Sequence, residues 1–147
     1  MNPTFFSNPK KFRDWLEQFH KLEIELLVGF HKINFGKQSM TWSESVDETL
    51  CFGWIDGVRK SIHADSYSIR FTPRKVNSIW SAVNLKKMEV LIVNSKMQEA
   101  SLKILVREIR ASKIFILSKE KHHLFRKNLK KYLNPMRLLG HFLISNP

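Results

Sequence analysis

Cysteine is nearly absent from this chain of 147 residues, since Cys51 stands alone. One thiol excludes a disulfide scaffold and fits a reducing compartment. Glycine and proline are scarce, five of each. Four of the glycines lie at or before Gly57, so beyond the middle of the chain little interrupts helix formation, and the C-terminal half is expected to be largely helical. No apolar run approaches the roughly 18 residues that span a bilayer, so no membrane partner is expected. Met1–Asn8 is polar-aromatic and Lys10-Lys11 follow it, the reverse of a secretory signal, which makes the cytosol the expected compartment. Acidic side chains are also few, 13 Asp and Glu against 25 Lys and Arg, a net charge of +12.

What is present is enough for a core. Hydrophobic residues make up 43% and aromatics 12% of the chain. A single domain over 1–147 of this size buries about two-thirds of its unfolded surface and needs neither disulfide nor metal to fold. The charge is uneven. Residues 1–80 hold 11 Lys/Arg against 9 Asp/Glu, whereas residues 81–147 hold 14 against 4. The division expected is therefore a motif-bearing core over 1–96 and a basic helical part over 97–147.

Asn8-Pro9 has the form of a helix cap followed by proline at the first helical position, and Phe12, Trp15, Leu16 and Phe19 recur at helical spacing up to about His20. Glu23 to Phe30 alternates and then turns continuously apolar, as a strand entering a core does. A loop with Gly36 follows, and Thr41-Trp42-Ser43-Glu44 has capping-box spacing ahead of Val46, Leu50 and Cys51, with Gly53 as the stop. Val58–Ile62 and Tyr67–Thr72 read as a β-hairpin around a four-residue loop, His63 to Ser66. Alternation puts Tyr67, Ile69 and Phe71 on a face toward helices and assigns Arg59 and Arg70 to one shared polar face. After Pro73, Ser78 is the expected cap of a helix with a Trp80, Val83, Met88, Leu91, Ile92 stripe, closed by Asn94-Ser95. A helix from Gln98 to Ala111 carries Leu102, Leu105 and Ile109 inward and Lys103, Arg107 and Arg110 outward. Leu124–Leu133 and Met136–Ile144 are two further amphipathic segments divided by Asn134-Pro135. These elements give an α+β fold, a small antiparallel sheet of the first strand and the hairpin, packed by helices.

The densest concentration of chemistry is Cys51–Asn84. Here, in TW-SESVDE-TLCFGWIDGVRKSI (Thr41–Ile62), YSIRFTPRK (Tyr67–Lys75) and SIWSAVN (Ser78–Asn84), with Phe5-Phe6 before and Met97-Gln98 after, the chain resembles the bacterial YdeI/OmpD-associated family, also labelled bacteriocin-protection proteins. About two-thirds of the chain takes part. The resemblance implies a cytosolic α+β protein, and it brings no established reaction or cofactor. Two departures stand out. Ala111 to Phe115 replaces the family's acidic stretch and Ser-Gly-aromatic turn, and the family's basic C-terminal helix is missing, so the chain is expected to be truncated relative to that family.

Physically, Trp54, Asp56, Arg59, Arg70, Arg74, Trp80 and Asn84 are the candidate ligand set. Arginine forks beside aromatic walls suit a planar or phosphate-like anion, or an acidic protein partner. The competing reading of the same residues is structural, with Asp56 paired to Arg59 or Arg74, Trp54 and Trp80 in the core, and the arginines framing the hairpin. Asp56-Gly57 has the form of a turn or bulge. Cys51 falls on an apolar stripe, as a buried inert thiol does. His122-His123 are adjacent and diverge on a helix, unlike metal-binding i, i+4 pairs, and with His20, His31, His63 and His141 they are expected at the surface. No phosphate loop, GxSxG or HExxH is present, and Asp47-Glu48 diverge, so no catalytic residue, metal or cofactor is expected. The reading is a non-enzymatic cytosolic binding or stress-associated module. Its alternative is electrostatic nucleic-acid binding through Lys103, Arg107, Arg110, Arg126, Lys127, Lys130 and Lys131. A weak homodimer through Leu138 and Leu139 of the last segment is a further expectation.

Overall fold

Asn8 and Pro9 start the first helix. In a computed structural model, which describes residues 1–76, 78–110 and 127, α1 runs Pro9–Phe19 and the Asn8 side chain accepts the Lys11 N–H at 3.0 Å. Proline costs nothing there, because the first helical N–H has no intrahelical acceptor. Strand β2, Leu26–His31, begins later than the alternation from Glu23 indicates. Glu23 and Ile24 remain exposed, and burial starts at Leu26.

Helix α2, Trp42–Cys51, has both halves of its capping box, Glu44 N–H to Thr41 Oγ1 at 3.2 Å and Thr41 N–H to Glu44 Oε2 at 2.7 Å. It gives way to Gly53 at φ +74°. The hairpin comprises β3, Trp54–His63, and β4, Ser66–Pro73, joined through Ala64-Asp65, a tighter turn and longer strands than the four-residue loop predicted.

The sheet runs in the order β1-β2-β4-β3, where β1 is Thr4–Phe5. β4 pairs antiparallel with both β2 and β3, as expected for the three main strands. The short β1 pairs parallel with β2 and makes the sheet mixed, a strand that two residues of sequence do not announce. Phe5 lies flat across Gly29, where an added Cβ would stand 2.5 Å from Phe5 Cζ. The result is an α+β fold.

One face of the sheet forms the core. Leu26, Val28, Phe30, Ile69, Phe71 and Trp54 are buried against Phe12 and Leu16 of α1 and Val46 and Leu50 of α2. Phe12 and Phe71 ring centroids lie 5.6 Å apart, and Trp15 meets Trp54 edge-on at 5.9 Å.

Helix α3 is Ala82–Val93, and its cap is Ser81, which accepts the Asn84 N–H at 3.1 Å. Ser78, the expected cap, instead closes a turn on the Lys75 carbonyl. Trp80 lies in the segment before the helix and is buried, so the chain is pinned before it can coil, and Val83 faces outward at 61% exposure. Asn94 ends α3 as anticipated. In α4, Glu99–Arg110, Leu102 and Leu105 are buried while Lys103 and Arg107 are exposed, as the stripe predicts. Lys127 apart, the segments 114–117, Leu124–Leu133 and Met136–Ile144, with Leu138 and Leu139, lie outside the described residues. Among those described, no helix is long and apolar enough to cross a membrane.

Candidate functional site

The two arginines assigned to one polar face are on opposite faces. Asp56 pairs with Phe71 and Arg59 with Ile69, three residues of β3 against two of β4, so Gly57-Val58 carry a β-bulge. A one-residue slip reverses every side chain beyond it. Arg59 therefore joins the side of Tyr67 and Ile69, while Arg70, opposite Leu27, stays on the other. Gly57 admits the bulge because a Cβ there would approach the Arg70 carbonyl oxygen to 3.0 Å. A second irregularity falls between Ser61 and His63. Bulges and cationic side chains on an outermost strand also guard its unpaired backbone groups against other strands.

Each member of the candidate set has its own surroundings. Arg59 is exposed, and its guanidinium carbon stands 3.6 Å from the centroid of Tyr67, whose ring stacks on Phe30 at 5.1 Å. Arg70 is exposed too, but it reaches Glu25 at 3.3 Å. Asp56, expected opposite an arginine, accepts the Trp42 indole N–H at 3.0 Å. Asn84 is half-buried in the first turn of α3. Trp54 belongs to the core, donating its indole N–H to the His20 carbonyl at 3.1 Å. Among the described residues these side chains therefore have separate surroundings, and those on the sheet lie on different faces of it.

Arg74 and Trp80 do come together, in the interior. The Arg74 side chain is 1% exposed and lies 3.6 Å over the Trp80 ring, and its Nε stands 3.9 Å from Glu108 Oε2. The same oxygen accepts the Trp80 indole N–H. Arg74 Nη2 donates to the Ser78 carbonyl, whereas its Nε and Nη1 find no hydrogen-bond acceptor among the described residues. Burial lowers the guanidinium below its ordinary pKa, and the Glu108 charge opposes that. Glu108 was not singled out from the sequence. The signal was available, since it follows Leu102 and Leu105 at three-residue steps on the inward stripe, where a carboxylate demands a partner.

Gly53 sets this node. Its carbonyl accepts the Arg74 N–H at 2.8 Å, and the end of α2 is closed by Ser101 Oγ of α4 to the Leu50 carbonyl and by the N–H of Gln98, just before α4, to the Cys51 carbonyl. The conspicuous Cys51–Gly57 stretch thus carries a helix stop, a core tryptophan and a bulge. Cys51 is buried, and desolvation pushes its thiol up to about 11, too high for a nucleophile. Asp47 and Glu48 diverge to Lys87 and Arg13. His63 is exposed, while His20 and His31 are half-buried, His31 stacked on Phe5 at 4.6 Å, so the surface expected of them holds fully only for His63. Of the basic alternative set, Lys103, Arg107 and Lys127 are exposed. The Arg110 side chain and Arg126, Lys130, Lys131, His122, His123 and His141 lie outside the described residues.

Residues 4–104 match the family described as Domain of unknown function (DUF8412), and the chain belongs to that family. The match spans the sheet, α1 to α3 and the Gly53 turn. No curated protein and no solved structure matches the chain.

Proposed function

We propose that this DUF8412 protein is a non-enzymatic binding module of the cytosol that takes a small anionic ligand, or an acidic group of a partner, at the exposed Arg59 guanidinium on the outermost strand of its hairpin. One observation carries the reading. Among the three arginines of the candidate ligand set, Arg74 is sealed beside Glu108 and Arg70 is paired with Glu25, whereas Arg59 has no carboxylate of the described residues within ion-pair distance. The Tyr67 ring holds its guanidinium in place, at a gain of about 0.5–1 kcal/mol for an exposed cation over a ring. Its donors are thereby oriented before a ligand arrives, which reduces the entropy lost when a phosphate or carboxylate accepts two of them. The likeness to the YdeI/OmpD-associated family adds a stress or bacteriocin-protection setting to this proposal.

The test is thermal. Phosphate, sulfate and a nucleoside triphosphate should raise the melting temperature with occupancy, because a ligand held only by the native state stabilises it by mass action. Arg59→Ala should abolish the rise, Tyr67→Leu should weaken it, and Arg70→Ala, on the other face, should leave it intact. An equal response in Arg59→Ala, or no response beyond a generic salt effect, refutes the proposal. The second reading, nucleic-acid binding, draws on the outward Lys103 and Arg107 of α4.

A further inference from the structure

Helix α3 is apolar on two sides. Leu85, Met88, Leu91 and Ile92 are buried against the core, while Val83, Val90 and Val93 look outward at 61%, 54% and 50% exposure. A helix that is apolar all round is ordinarily enclosed, and contiguous exposed aliphatic surface marks a contact surface. Val83, Lys86, Val90 and Val93 recur at steps of three and four, the interval of a seam between two helices. Ile79, 80% exposed, precedes Val83 by four residues. Beside the seam runs a groove of about 340 Å³ between α2 and α3, lined by Val83, Lys86, Lys87, Val90, Leu91 and Asp47.

We propose that this face is a homodimer interface, occupied by α3 of a second copy running antiparallel. Charge selects that occupant. In a chain of net charge +12, the groove holds two cations, Lys86 and Lys87, with the anion Asp47, and a second anion, half-buried Glu89, follows Lys86 by three residues on α3. Lys87 is already held by Asp47 at 2.7 Å and Ser43 at 2.9 Å. A locally neutral apolar strip does not repel its own copy, as the basic remainder of the surface would. Direction follows from Lys86. Parallel helices would stack Lys86 on Lys86. Antiparallel helices centred at position 88 set Val83 opposite Val93 of the second copy and Lys86 opposite Val90, so each lysine stem covers a valine and its ammonium runs out toward Glu89 of the second copy. The contact is then self-complementary, as a two-fold interface requires.

Sedimentation equilibrium of the full chain should show a monomer–dimer equilibrium that Val90→Glu abolishes without lowering the melting temperature of the monomer. Cross-linking reads the direction. A mixture of Val83→Cys and Val93→Cys should form a disulfide-linked heterodimer, and neither variant should link to itself, because like residues would lie about 15 Å apart along the helices. Buried Cys51 leaves the background clean. If Val90→Glu fails to fold, the cysteine variants decide alone. A wild-type chain that stays monomeric to millimolar concentration overturns the proposal, as does self-linking by either single variant. A mixture of the two cysteine variants that yields no heterodimer overturns it as well.

Discussion

At Gly53 the backbone adopts φ +74°, and a Cβ there would stand 2.8 Å from Ile104 Cδ1. Left-handed backbone costs an L-residue about 1–2 kcal/mol, and the Ile104 side chain on α4 must also turn aside, a smaller addition because Cδ1 is its mobile end. Gly53→Ala should therefore lower stability by about 2 kcal/mol or more in urea unfolding, whereas Gly36→Ala, also at positive φ but with nothing within 4 Å, should cost only the backbone share. Equal losses at the two positions would show that α4 does not press on the turn. Cys51 supplies an independent readout of the same place. With its thiol raised to about 11 by burial, the thiolate is rare at neutral pH, so alkylation in the native protein should proceed only as fast as the protein opens. Modification at the rate of a free thiol would contradict the burial of α2 beneath α4.

The Arg74–Glu108 pair ties the end of β4 to α4, with Trp80 between them. Removing one partner of a buried pair leaves an uncompensated charge and costs about 3–5 kcal/mol, whereas an amide retains an acceptor for the indole. Glu108→Leu should accordingly destabilise more than Glu108→Gln, with Trp80 fluorescence following the loss. A Glu108→Leu protein as stable as wild type would remove the pair as a fastening between elements. Elements of this kind differ in how far sequence discloses them. Asn8-Pro9, Thr41 to Glu44 and the Leu102–Leu105 stripe are local patterns with local causes, and each marks its helix. The bulge at Gly57-Val58 is a matter of register between strands, which neither strand encodes alone, and it is what separates Arg59 from Arg70. The two-residue β1 depends on Gly29, some 25 positions away in the chain, to receive Phe5. Ser78 and Ser81 are equivalent as caps until burial of Trp80 chooses between them. The candidate site was thus legible as residue types and not as an arrangement, because hydrophobic alternation predicts faces only while the register is unbroken.

Across the whole molecule the charge is divided, with net +2 over residues 1–80 and net +10 over residues 81–147. Fields of that size accelerate encounters with any polyanion without specifying one, so binding by itself distinguishes little. Salt dependence does distinguish. A surface that contacts phosphates releases counterions, and the logarithm of the association constant then falls linearly with log salt, by about 0.9 per contact on duplex DNA. Lys103, which pairs with Glu99 at 2.9 Å, and Arg107 stand together on the exposed side of α4, four residues apart, where a backbone would meet both and displace the Glu99 carboxylate. If the nucleic-acid reading holds, Lys103→Glu with Arg107→Glu should flatten the slope by about 1.8, two contacts' worth, while Arg59→Ala should leave it unchanged. The reverse pattern would move polyanion binding to the hairpin and join it to the anion site. Binding that vanishes for wild type near physiological salt would make the basic surface of α4 a solvated one.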